Sequence, residues 1–176
     1  MQKTKASQAL TLKNSIRIRM IEQLMALPHK DGVHKEDWPK VKNNLIIIAL
    51  AVAFFCFKRK LPLLFTSIIR EGIPGVSTSK THIEGRAFDI SVKGWKDSDI
   101  FDLVYWINET FEIGAVSAST GKESAAIYEP REYWKEGEKL PTGKKVGDLK
   151  KEAHLHFQSA KAKTGFRDLA ENIAQV

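Results

Sequence analysis

The spacing of apolar residues divides the chain into a helical first third and a strand-rich remainder. Between Ser15 and Leu27 the residues Ile16, Met20, Leu24 and Leu27 recur at helical intervals, and Pro28 supplies a stop signal. Residues 29–36, HKDGVHKE, form a polar connector whose two histidines, His29 and His34, lack a partner pattern and are read as solvated. Asp37 is a plausible N-cap and Pro39 suits a first helical turn, so a second helix is predicted from there to about Lys58. Its segment Leu45 to Phe57, LIIIALAVAFFCF, is hydrophobic on every side, as in a helix covered by its neighbours. The run is shorter than the roughly 20 residues that span a bilayer, and Lys58-Arg59-Lys60 closes it, so a core helix is expected.

Leu61 to Ile69 reads as a short buried strand, and EGIPGVSTSKT after it as a loop. Arg86 to Val92 alternates, with Phe88, Ile90 and Val92 on one face and Ala87, Asp89 and Ser91 on the other. Asp97 or Ser98 is positioned to cap a helix reaching Phe111, with Phe101, Val104, Ile107 and Phe111 inward. Ala125–Tyr128 and Ala153–Phe157 are two further strands, separated by a long, charged, glycine-containing loop. Helices first, then strands around an inserted helix, predict an α+β domain with a small antiparallel sheet flanked by helices. Residues 1–36 form a helical extension in this reading, 37–160 the functional domain, and 161–176 a tail.

Composition narrows the chemistry. The 176 residues include a single cysteine, Cys56, which excludes an internal disulfide framework and a cysteine-rich zinc site. The net charge of +7 points to an anionic partner without choosing among nucleic acid, wall polymer and membrane surface. Basic pairs are scattered, and no helix-turn-helix, finger or RNA-binding aromatic motif is present, so no nucleic-acid partner is expected. The N-terminal residues lack the apolar core of a secretory signal. A product made in the cytoplasm, monomeric and without a membrane partner, is expected.

Candidate chemistry gathers in two segments, Ser79-Lys80-Thr81-His82-Ile83-Glu84-Gly85-Arg86-Ala87-Phe88-Asp89-Ile90 and Glu152-Ala153-His154-Leu155-His156-Phe157. On one continuous strand His82 and Asp89, seven apart, would face opposite sides. Gly85 allows a sharp bend that folds His82 back toward Asp89. His154 and His156 share a strand face while Leu155 and Phe157 enter the core. If the two strands pair, up to three imidazoles and one carboxylate converge. Two histidines and a carboxylate, with a fourth position left for water, make the donor set of a catalytic zinc site, whereas calcium or magnesium would want more carboxylates.

His82-x-x-Gly85-x-Ala87-x-Asp89 followed by His154-x-His156 resembles the signature of the zinc D-alanyl-D-alanine metallopeptidase superfamily. Its members include D,D-carboxypeptidases, D-Ala-D-Ala dipeptidases, phage L-alanyl-D-glutamate endopeptidases and the hedgehog signalling domain. The resemblance spans about residues 37–160 and implies a hedgehog-like or D,D-peptidase-like fold, with Zn2+ held by His82, Asp89 and His156. It implies a catalytic or transition-state-stabilising role for His154, and makes Arg70 the arginine that holds substrate or oxyanion. Lys80 stands where the signature has serine, with Ser79 beside it, and Ala153 stands where one branch carries a glutamate. Glu152 is therefore a second-choice base, with His154 the other candidate. The implied function is a zinc peptidase cleaving a peptide bond of bacterial peptidoglycan, as a carboxypeptidase or an endopeptidase. A phage-encoded lysis enzyme, acting on the wall after release or as a virion component, fits this reading. The alternative is a non-catalytic zinc-binding module for wall or protein. Trp134 in the long loop is a candidate ligand contact, with Tyr133 beside it, while Trp106 is read as flanking its helix's apolar face.

Overall fold

The computed structural model describes residues 5–69, 80–111, 113–116, 121–129, 132–133 and 149–160. Among them the chain is a single-domain α+β fold: a four-stranded antiparallel sheet with helices packed on it. Helix α1 (Lys5–Met25) extends farther back than its periodicity predicted, and its Ile21 and Leu24 join the common core. Arg17 ties it to the start of the next helix, donating to Asn43 Oδ1 at 2.7 Å and to the Pro39 carbonyl at 2.8 Å.

The expected long helix from Asp37 is two elements. A 3-10 segment, Lys35–Lys40, contains Pro39, and α2 (Asn43–Arg59) starts after an extended break at Val41 and Lys42. The side chain of Asp37 therefore caps nothing of α2, and Lys42 occupies the N-cap position. The break frees the Lys42 N–H, which donates to the Gly85 carbonyl at 2.9 Å. α2 buries Leu45, Ile46, Ile48, Ala49, Val52 and Cys56, but its last turns leave Phe54 59% and Phe57 80% exposed. Its covering is thus less complete than an all-round apolar sequence suggested. No helix among the described residues is long and apolar enough to cross a membrane. Burial pushes the Cys56 thiol up to about 12, so it carries no thiolate chemistry at neutral pH.

Only Phe65–Ser67 of the predicted Leu61–Ile69 strand forms β1. Pro62 has no N–H to give a ladder, and its carbonyl accepts the Trp95 indole at 2.8 Å instead. After the short helix α3 (Lys80–Ile83) come β2 (Ala87–Ser91), α4 (Asp97–Thr110), and β3 (Ala115–Val116) paired with β4 (Glu123–Ser124). β5 (Ala126–Glu129) is next, then a ribbon of β6 (Glu132–Tyr133) with β7 (Leu149–Lys151), and finally β8 (His154–Gln158). The main sheet runs β1-β2-β8-β5. α2 packs on β8 and α4 on β5, while α1 covers α2.

α4 is rotated from its predicted orientation. Ile100, Leu103, Ile107 and the adjoining Phe111 are buried, whereas Val104 is half-buried and Phe101 is 58% exposed. Phe101 meets the edge of Tyr128 at 6.2 Å rather than entering the core. Neither Asp97 nor Ser98 caps the helix; Lys96 holds that position, and Asp97 and Asp99 lie in the first turn, where the helix dipole favours anions. Asn108 anchors β5 by accepting from Ala125 and Ala126 N–H at 2.7 and 3.0 Å. Trp106 stacks on Phe55 at 5.8 Å.

The core centres on rings, with Phe88 stacked on Phe157 at 4.7 Å and Trp38 edge-on to Phe65 at 5.1 Å. His29 belongs to this cluster, contrary to its reading as a solvated residue. Its Nδ1–H donates to the Leu27 carbonyl at 2.7 Å, its Nε2 accepts the Trp38 indole N–H at 2.9 Å, and its ring stacks on Phe65. Burial pulls its pKa below the ordinary value, with Lys35 assisting against the Leu27 carbonyl and Glu36. A neutral acceptor is what Trp38 needs. At this position the unfolded chain therefore binds more protons on acidification, and the His29 contribution to stability is expected to fall as pH drops below about 6.5. Urea midpoints at neutral and mildly acidic pH check this: the loss is predicted to shrink in His29→Gln, which keeps an acceptor that does not titrate there.

Candidate metal centre

Two local devices place the first histidine. α3 closes on itself through Gly85 N–H to the His82 carbonyl and Arg86 N–H to the Thr81 carbonyl, at 3.1 and 2.7 Å. Gly85 sits at φ +64°, and a Cβ there would lie 2.5 Å from the Lys40 carbonyl oxygen. The turn thus needs glycine for both its hand and its close backbone approach. Arg86 fixes the far side, bonding Glu84 and the Ser159 carbonyl at the end of β8. The bend inferred from the sequence is present.

Register sorts the rest. Asp89 on β2 is opposite His156 on β8, which is opposite Ile127 on β5. One row along, Ser91, His154 and Glu129 align. A register irregularity in β1 pairs Phe65 with Ile90 and Ser67 with Asp89, so Phe65 enters the core while Ser67 faces the site. Phe88, Ile90, Leu155 and Phe157 line the opposite, helix-covered face. The strand alternation read from both segments holds.

His82, Asp89 and His156 are brought together. One ligand atom from each lies within 4.8 Å of the others, and all three side chains are buried, at 2%, 1% and 9% exposure. Asp89 Oδ1 is 3.3 Å from His82 Nε2 and 2.8 Å from His156 Nδ1. These residues are close enough to hold a metal ion. The donor set fits one: ligands about 2.0–2.1 Å from a tetrahedral ion stand about 3.3 Å apart. His82 is oriented for the role. Its Nδ1 faces the Ile68 carbonyl at 2.9 Å, which can only accept, so Nδ1 carries a proton and Nε2 is the nitrogen turned to Asp89 and the site. Ser67 Oγ lies 3.4 Å from the same Nδ1.

A buried carboxylate requires compensation. Burial raises the Asp89 pKa, but hydrogen bonds from His156 and His82 and their charge outweigh it, holding Asp89 well below the usual carboxylate range. An ionised oxygen is thereby ready as a ligand.

His154 lies beside the triad rather than in it. Its Nδ1 is 2.8 Å from the Glu152 carbonyl, and its Nε2 is 3.2 Å from Glu129 Oε2. Burial disfavours its charged form, yet the Glu129 hydrogen bond, the Asp89 charge and the Glu152 carbonyl together raise its pKa. Glu152 precedes β8, and its side chain is exposed; its backbone carbonyl meets His154. Ala153 is half-buried and Lys80 exposed. Arg70, Ser79 and Trp134 lie outside the described residues. The sequence reading missed Glu129 and Ser67. The alternation of AIYE marks Glu129 as sharing a face with Ile127, but only the pairing with β8 brings it to His154.

Compared with known proteins, the chain matches no family model, and no curated protein or solved structure is significantly similar to it.

Proposed function

We propose that the chain is a zinc-dependent peptidase acting on the peptide portion of bacterial peptidoglycan. The observation that carries the reading is the buried set of two imidazoles and one carboxylate. Two nitrogens and one oxygen favour zinc over the hard, oxygen-seeking calcium and magnesium. His82, Asp89 and His156 would hold the ion, which when bound supplies Lewis acidity that polarises a carbonyl and acidifies water. The choice of an amide in the wall rests on the resemblance of the two motifs to the D-alanyl-D-alanine metallopeptidases. The +7 charge of the chain suits adsorption to anionic wall polymer. His154 lies beside the triad with its ring nitrogens facing the Glu152 carbonyl and the Glu129 carboxylate, partners that favour its protonated form. Carboxypeptidase and endopeptidase remain two forms of the same proposal.

The test is incubation of the zinc-loaded chain with purified walls of differing cross-link chemistry, reading released amino groups. Release that stops with a chelator and returns with zinc is expected. A chain that holds zinc and binds wall without releasing amines would instead be the non-catalytic module, which the alanine at position 153 favours. Neither binding nor release from any wall would contradict both.

A further inference from the structure

Hydrolysis of an amide needs a group to take a proton from the attacking water, and neither candidate from the sequence suits that task. Both ring nitrogens of His154 are already engaged, Nδ1 by the Glu152 carbonyl at 2.8 Å and Nε2 by Glu129 Oε2 at 3.2 Å, so neither is directed at a water on the triad. The Glu152 side chain is exposed, before β8 begins. Among the described residues, the metal-bearing face of the sheet carries two carboxylates, Asp89 and Glu129. Asp89 is buried between His82 and His156, which leaves Glu129.

We infer that Glu129 is the general base of the site, supplied from β5 and steadied by His154. This rests on the peptidase reading and names the residue that the motifs leave open. Glu129 is directly across the ladder from His154 and diagonal to His156. Diagonal neighbours stand about 7–8 Å apart at the backbone, a span that a glutamate side chain bridges. Its side chain is 27% exposed, within reach of solvent, while Asn108 fixes the start of its strand. His154, at 12%, is held from behind by the Glu152 carbonyl and so aims its Nε2 at Glu129 Oε2, 3.2 Å away. The water oxygen bonds to the scissile carbonyl carbon as its proton passes to the Glu129 carboxylate. That proton then moves to the amide nitrogen as the C–N bond breaks, giving an acid and an amine and restoring the carboxylate.

The test compares wild type, Glu129→Gln and Glu129→Asp, each zinc-loaded, by metal content, hydrolysis of wall peptide and 15N signals of the His154 ring. Glu129→Gln is expected to keep its zinc and bind wall as wild type does, while kcat falls by about 10²–10⁴-fold. Glu129→Asp, a shorter base, is expected to recover part of that loss. The His154 ring nitrogens are expected to shift in Glu129→Gln, a readout that needs no turnover. A Glu129→Gln protein that cleaves wall within about threefold of wild type overturns the assignment, as do unchanged His154 signals. A wild type that holds zinc but cleaves nothing overturns the peptidase reading itself, and the base with it. The wild-type control thus separates the two failures.

Discussion

Asp89→Ala is expected to abolish specific metal binding and to destabilise the metal-free fold by about 3–5 kcal/mol, the range for breaking a buried charged pairing. The carboxylate is 1% exposed and has His156 Nδ1 at 2.8 Å and His82 Nε2 at 3.3 Å. Removing it leaves two buried imidazoles, their ring centroids 5.1 Å apart, without the carboxylate that accepts from His156 Nδ1 and faces His82 Nε2. The same pairing sets an acid limit. Because folded Asp89 titrates below its unfolded value, its contribution is complete above about pH 4 and is lost as pH falls toward the folded value. Chemical denaturation with a chelator measures the stability loss, and thermal shift on adding zinc measures the binding loss. Wild type should gain melting temperature with zinc, by mass action on the folded state, and Asp89→Ala should not. An Asp89→Ala protein that still gains would contradict the assignment.

Gly85→Ala is expected to cost more than any other single-methyl addition at a described positive-φ glycine. Conformation alone at φ +64° costs about 1–2 kcal/mol, and the new Cβ must also displace the Lys40 carbonyl, 2.5 Å away. That carbonyl belongs to the segment whose Lys42 N–H bonds Gly85 O, so the junction between the 3-10 segment and α2 moves with it. Gly94→Ala is the control: φ is +83°, and nothing lies within 4 Å of its Cβ, so it should show the conformational cost alone. Gly85→Ala should lower Tm by more than about 5 °C and weaken zinc binding, since His82 hangs from this turn. Equal losses in the two variants would show that the close approach to Lys40 does not matter.

The site was more legible than the framework around it. AFDIS and HLHFQ each alternate, and alternation fixes which residues share a face, so Asp89, His154 and His156 could be placed without coordinates. Gly85 marked the bend that turns His82 back. Pairing between strands distant in sequence was not legible. Glu129 reaches His154 through the register of β5 against β8, which no local spacing encodes. Helix boundaries failed where tertiary contacts competed with local signals. Pro39 looked like a helix start, yet the chain opens at Val41 and Lys42 because the Lys42 N–H is claimed by Gly85. On α4 the two apolar stripes beginning at Ile100 and Phe101 are nearly equivalent by period, and packing selected the first. His29 resembled any connector histidine until Trp38 and Phe65 surrounded it.

The central claim is that His82, Asp89 and His156 grip one divalent ion. Anomalous diffraction from zinc-loaded crystals, recorded across the zinc absorption edge, tests it most directly. The predicted result is one strong peak about 2.0–2.2 Å from His82 Nε2, an Asp89 carboxylate oxygen and His156 Nδ1. Saturating zinc with no peak there, or with its peak elsewhere on the chain, would contradict it.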